Sequence, residues 1–341
     1  MKRTTYIIGA GASYELGLPT GEELKSIIAG LLDIKFNHYT QTSGDYQIVD
    51  ALRPYSRNKN EDLNLYRKEC IHISKNMPLS ISIDNFIDTQ KGNEKLELCG
   101  KMSIVQSIIQ AEKSSLLYQK KNQEIDFNQL SKTWYLSFFK TITENCVIED
   151  LPNRLKLITL IIFNYDRCIE HFLINALKQY YRIDNRAAIS LVSNIKIIHP
   201  YGTIGPLPWQ TSESHNYVEF GESVDTNCLI ESAQNIKTFT EGVESNRVIE
   251  LHDIMSKSKR IIFLGFAYHK LNMKLLGKGG FVSSYQSEGV ECFGTSFGMS
   301  KNDKKLVTDA IQALYDERIK TNIENLTCYD SFNEYSRSLG Y

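Results

Sequence analysis

The sequence predicts an α/β protein built on a doubly wound parallel sheet, and three observations predict it. Short β-branched and aromatic runs recur at Tyr6–Ile8, Leu157–Phe163, Ile195–Ile198 and Arg260–Leu264, each followed at once by a glycine or polar residue. Helical patterns fall between them, and alternation of strand with helix is what parallel strands need for their crossovers. The run Leu157–Phe163 is almost wholly apolar, as expected of a strand covered on both faces.

The first unit is Thr4-Thr5-Tyr6-Ile7-Ile8-Gly9-Ala10-Gly11-Ala12-Ser13, a strand running into a turn whose glycines let backbone approach a ligand closely. Tyr14 stands where the dinucleotide pattern G-x-G-x-x-G needs its third glycine, so that fingerprint is incomplete. Beyond Gly17-Leu18-Pro19, Thr20 is placed to cap a helix, with Glu22 and Glu23 in its first turn. Leu24, Ile27, Ile28 and Leu31 form its apolar face, and the unit would aim backbone amides at a phosphate.

From residue 39 to residue 150 the pattern becomes helical, with stripes at Leu98, Met102, Val105 and Ile109 and at Leu130, Trp134, Phe138, Ile142 and Cys146. This stretch is expected to be a helical insertion subdomain within a core made of residues 1–38 and 151–341. Inside it, Ser82-Ile83-Asp84-Asn85-Phe86 reads first as a capped helix start with Phe86 in the core. The sharper alternative is that Asp84 reaches a ligand pocket.

Asn164-Tyr165-Asp166 falls at the carboxyl end of the strand Leu157–Phe163, where open α/β sheets bind their ligands. A helix carrying Cys168, Phe172, Leu173, Leu177 and Tyr180 follows, and His199 then ends the strand Ile195–Ile198 on the same predicted edge. The structural alternatives are that Asn164 and Asp166 cap the next helix and that the histidine is structural. The polar stretch 205–242 reads as a long loop or flap able to close over a ligand. Gly265-Phe266 ends the strand Arg260–Leu264 in a turn suited to a ribose or adenosine. After it come a helix at Leu271–Leu276, a strand at Glu291–Gly294, a helix at Lys304–Tyr315 and a strand at Ile323–Tyr329. His38, His72, His171, His215, His252 and His269 lack metal-ligand spacing and read as bland.

Composition narrows the classes. With 341 residues, 42% of them hydrophobic, the chain can bury a sizeable core. Its 39 lysines and arginines nearly balance 40 aspartates and glutamates, so direct nucleic-acid binding is not expected. No apolar run approaches the ~20 residues that span a bilayer, and the amino terminus does not read as a signal peptide. The seven cysteines contain no C-x-x-C pair, which predicts free thiols in a reducing cytoplasm and no structural zinc.

Gly9-Ala10-Gly11-Ala12-Ser13 with Gly17-Leu18-Pro19, then Phe163-Asn164-Tyr165-Asp166, then His199-Pro200-Tyr201-Gly202, then Phe263-Leu264-Gly265-Phe266 resemble, in that order, the nucleotide-binding and catalytic segments of sirtuins. The likeness is nearest to bacterial sirtuin-like proteins that destroy NAD during phage defence, and it covers about two thirds of the chain. The resemblance implies a Rossmann-like sirtuin core that binds NAD+ as substrate, with no metal. Gly9, Ala10, Gly11 and Ser13 would hold the pyrophosphate, with Gly265 and Phe266 against the adenosine side. Asn164 would hold the nicotinamide-side ribose and the attacking water, Asp166 would contact the carboxamide, and His199 would act as general base. The implied activity is hydrolysis of NAD+ to ADP-ribose and nicotinamide, the effector step of an abortive-infection defence, by a homo-oligomer working with a HerA-type ATPase or another sensor. A noncatalytic nucleotide-binding subunit and an NAD-dependent protein deacylase are the alternatives. Three departures mark the chain: no zinc ribbon, Thr20-Gly21-Glu22 where deacylases have Asp-Phe-Arg, and Pro200-Tyr201 between His199 and Gly202.

Overall fold

The structure, a computed structural model, describes residues 2–120, 123–211, 217–238, 245–277, 289–315 and 319–340. Its strands, in chain order, are β1 Thr4–Ile8, β2 Lys35–Asn37, β3 Thr40–Ser43, β4 Ile158–Ile162, β5 Lys196–Ile198, β6 Arg260–Leu264, β7 Val290–Thr295 and β8 Ile319–Glu324. Six of them form one parallel sheet in the order β5-β4-β1-β6-β7-β8, and β2 pairs with β3 as a small antiparallel hairpin. Chain order runs outward in both directions from β1. The direction therefore reverses between β1 and β6, the switch point at which doubly wound sheets open a crevice. The expected fold class is the one observed.

The register explains the two-sided burial. Ile7 lies opposite Ile161 on one side and Phe263 on the other, and these three point into a core with Leu251, Met255, Met273 and Ile311. Their neighbours Tyr6, Ile8, Leu160, Ile162, Ile262 and Leu264 point into the opposite core, with Trp134, Phe138 and Phe172. Every residue of β1, β4 and β6 is buried, and along most of each strand period-two alternation presents an apolar side chain to each helical layer.

The stretch 39–150 contributes to two layers. The helices Tyr46–Asn58, Leu63–Asn76 and Glu94–Ser114 pack with Gly21–Leu32 around Ile28, Tyr66, Cys99 and Met102. The helix Trp134–Thr143 instead lies against the sheet, its Phe138 ring 5.1 Å from that of Tyr6. The stretch 205–242 differs from the expected loop, since Thr226–Asn235 is a helix capped by Asp225. Its Leu229, Ile230 and Ala233 join the core of the inserted helices, and that spacing is a helical stripe within polar sequence. Residues 212–216 and 239–242 of the expected flap, and His215 with them, lie outside the described residues. The last strand also differs: it spans Ile319–Glu324, and Cys328–Glu334 is a helix capped by Thr327.

Gly265 shows how tightly the switch point is built. Its φ is +53°, and a Cβ there would stand 2.0 Å from the Ala12 nitrogen and 2.2 Å from the Gly11 carbonyl carbon. Gly265→Ala is therefore expected to lower unfolding stability by about 3 kcal/mol or more, from backbone strain plus a clash that no rotamer relieves. Chemical denaturation measures it, and a midpoint equal to the parent's would contradict this account of the turn.

Candidate active site

A cleft of about 650 Å³ opens at the carboxyl ends of the strands. Gly9–Gly11 after β1, Asn164–Asp166 after β4, Gly265–Ala267 after β6 and Ser296–Phe297 after β7 line it, and Leu326–Cys328 after β8 closes one side. Its size is that of a small-molecule or cofactor site, and its place is the crevice in which open α/β sheets bind ligands.

Asn164 is held from two directions. Its Nδ2 donates to the Gly9 carbonyl at 3.0 Å and to Ser13 Oγ at 3.2 Å. Ser13 Oγ gives its own hydrogen to Asp166 Oδ2 at 2.9 Å, which leaves it free to accept from Asn164. This order of donors fixes the amide so that its oxygen carries no hydrogen bond among the described residues. Asn164 is 7% exposed, and its amide oxygen is an oriented acceptor at the wall of the cleft. Asp166, 6% exposed, receives the Ser13 hydroxyl on one oxygen and the Cys168 amide on the other at 3.1 Å. It is thus both a cleft residue and an acceptor for the first amide of the helix Cys168–Tyr181, whose N-cap position is Arg167.

The glycine turns work differently from the expectation that their amides cradle a pyrophosphate. The Gly9 amide donates to the Leu264 carbonyl at 2.9 Å and the Gly11 amide to Gly265 at 3.0 Å. A Cβ on Gly9 would meet the Gly265 oxygen at 2.6 Å. These glycines let the turns after β1 and β6 pack against each other, and their donors are consumed in doing so. Ala10 opens the short helix Ala10–Ser13, where an amide has no intrahelical acceptor, so its N–H can face a ligand. The helix Gly21–Leu32 is likewise closed to phosphate. Glu23 accepts from the Thr20 amide at 2.8 Å in a capping box, setting a carboxylate where an anion would sit.

His199 ends β5 as expected, but its ring does not line the cleft. Nδ1 lies 3.1 Å from the Asn164 main-chain oxygen and Nε2 lies 2.8 Å from Glu170 Oε1. The expected role as general base would require one of these two contacts to open, because both ring nitrogens are engaged. Burial alone would lower the imidazole pKa, but the Glu170 charge, its hydrogen bond and the Asn164 carbonyl outweigh burial and hold it above the ordinary value. A raised histidine pKa adds stability below the unfolded-state value and loses it as pH climbs through the folded one. The stability gap between parent and His199→Gln is therefore expected to narrow from about pH 6 to about pH 9. Denaturation at both pH values measures it, and a widening gap would refute a charged imidazole.

Several lining residues had a weaker signal or none in sequence. Asp84, 8% exposed, reaches the cleft with Ser82, and the Tyr165 hydroxyl donates to it at 2.7 Å. The first reading of that segment holds, since Ser82 caps the helix Ile83–Thr89 and Phe86 is buried in the core, and Asp84 lines the cleft as well. Leu326–Cys328 escaped notice because Ile323–Tyr329 reads as a strand, whereas the ladder ends at Glu324. Glu15 accepts from the Trp134 amide and the Tyr329 amide, both at 2.7 Å, and so ties the glycine turn to two distant segments. Burial raises its pKa against the pull of those amides. Glu23, Asp84 and Asp166 add to this acidic lining, and no lysine or arginine lines the cleft among the described residues. His269 lines it too, but burial pulls its pKa below the ordinary value.

No helix among the described residues is long and apolar enough to cross a membrane. No protein-family model matches the chain, and no curated protein does. Among solved structures, Sir2 in complex with the inhibitor EX-527, 2'-O-acetyl-ADP-ribose and a deacetylated p53 peptide aligns over 98% of this chain and 93% of that chain, with a TM-score of 0.35 and 12% identity. At that similarity no residue role carries across. The doubly wound parallel sheet and the cleft at its switch point therefore rest on the strand order and side chains of this chain alone.

Proposed function

We propose that the protein is an NAD+ glycohydrolase that cleaves NAD+ to ADP-ribose and nicotinamide. The observation that carries this reading is the oriented Asn164 amide oxygen, fixed in a switch-point cleft by Gly9 and Ser13. The acidic lining supports it. Carboxylates favour a cation, and the oxidised nicotinamide ring is one, as is the ribose carbon that develops positive charge when the ring departs. Among the described residues no lysine or arginine lines the cleft to hold a further phosphate, so NAD+ is favoured over its 2'-phosphorylated form.

In the reaction the bond between ribose C1' and the ring nitrogen breaks, its electron pair leaves with nicotinamide, and a water oxygen bonds to C1' and sheds a proton to solvent. Asn164 Oδ1 accepts a hydrogen bond from that water and turns its lone pair toward C1'. Asp166 stabilises the developing positive charge and holds Ser13, and hence the Asn164 amide, in place. His199 acts from behind the wall as a positioning residue on the Asn164 main chain.

The resemblance in sequence supports a defence role by NAD+ depletion, a homo-oligomer and a sensor such as a HerA-type ATPase. A second reading, a nucleotide-binding subunit without catalysis, is favoured by the engagement of both His199 nitrogens. Incubating the protein with NAD+, alone and with its sensor, separates the two. Nicotinamide release under either condition supports hydrolysis, and saturable NAD+ binding without release under both supports the binding subunit.

A further inference from the structure

We propose that Glu170 is a positioning residue for Asn164 acting through His199, an inference that rests on the cleft being the reaction site. Glu170 sits in the first turn of the helix Cys168–Tyr181, where the helix end favours a negative charge, and its side chain is 1% exposed. One carboxylate oxygen meets His199 Nε2 at 2.8 Å. The other is buried without a partner among the described residues. A carboxylate buried with one oxygen unsatisfied is costly, so its retention calls for a compensating interaction, and His199 supplies it.

The consequence lies at the other ring nitrogen. A main-chain carbonyl and an ionised carboxylate only accept hydrogen bonds. With both against the ring, either both nitrogens carry hydrogen or Nε2 shares one proton with Glu170; in each case Nδ1 keeps its hydrogen and donates it to the Asn164 carbonyl. Without Glu170 the ring can move its single hydrogen to Nε2. The Nδ1 lone pair would then face the Asn164 carbonyl lone pairs, and attraction would become repulsion. Glu170 thus fixes the protonation of the ring that fixes the peptide of Asn164, while Gly9 and Ser13 fix its side chain. The other charges around the ring are Asp166, at the start of the same helix, and Arg247, which donates to the His199 carbonyl at 3.4 Å.

The test follows histidine side-chain NMR signals through a pH titration, with the His199 signal identified by its loss in His199→Gln. In Glu170→Gln the His199 midpoint is expected to fall by at least about one unit from the parent's. Glu170→Ala is expected to shift the Asn164 side-chain amide signals and to slow nicotinamide release about ten- to hundredfold with little change in KM, as loss of positioning does. Glu170→Gln can donate its amide hydrogen to Nε2 and keep Nδ1–H on Asn164, and it restores the rate to within about threefold of the parent. An unchanged His199 midpoint in Glu170→Gln, or unmoved Asn164 signals in Glu170→Ala, overturns the proposal. If the parent releases no nicotinamide, the two NMR readouts still decide the positioning role, and that failure falls on the proposed function instead.

Discussion

Asn164→Ala is expected to reduce nicotinamide release by at least about a hundredfold, the loss seen when a preorganised polar group is removed from a reacting centre. The expectation follows from the direction of the amide. Both hydrogens are committed to Gly9 and Ser13, so the oxygen is the part that a ligand meets. Alanine deletes that acceptor and leaves the Gly9 carbonyl with one partner fewer, a structural loss of about 1 kcal/mol. Activity should thus collapse while Tm moves by only a few degrees. Asn164→Asp sharpens the test, because it keeps an oxygen for the water but sets a carboxylate against the Gly9 carbonyl, so it too should be inactive. A variant with parental turnover would remove Asn164 from the mechanism.

The second large effect concerns stability. Arg167 and Glu112 are both fully buried and form a 2.5 Å ion pair. Arg167 also donates to the carbonyls of Gly205, Val218 and Glu219, and Glu112 accepts from the Gly221 amide. One pair therefore joins the helix Glu94–Ser114, the chain that carries Asp166 and the segments on either side of residues 212–216. Arg167→Met would strand a buried carboxylate and three carbonyls, and is expected to cost about 3–5 kcal/mol. Glu112→Gln should cost about as much. It leaves the buried guanidinium without its counter-charge, and the glutamine NH2 would face donors, because both carboxylate oxygens accept from Arg167 or Gly221. Paired denaturation curves measure both losses. A Glu112→Gln loss well below that of Arg167→Met would mean that the hydrogen bonds of arginine to the three carbonyls, rather than the charge pair, hold the site.

What was readable in advance followed from local physics. Ile158–Ile162 and Arg260–Leu264 are strands because a short apolar run covered on both faces has no other stable form. Asn164 and Gly265 were legible as cleft-lining residues because each follows a strand at the carboxyl edge. The helix Thr226–Asn235 was not, since its stripe of Leu229, Ile230 and Ala233 has meaning only against the inserted helices that cover it. Asp84 reads as an ordinary helix start until the inserted helix carrying it is laid beside Tyr165.

The sequence by itself determined the alternation of strand and helix, and with it the edge on which ligand-facing residues must lie, because period and turn chemistry act over a few residues. Tertiary structure alone decided what those residues do there. It spent the amides of Gly9 and Gly11 on the neighbouring turn, turned the Asn164 oxygen toward the cleft, and drew His199 back against Glu170. The physical reason is that a hydrogen-bond donor can be used only once, and which acceptor claims it depends on partners dozens to hundreds of residues away.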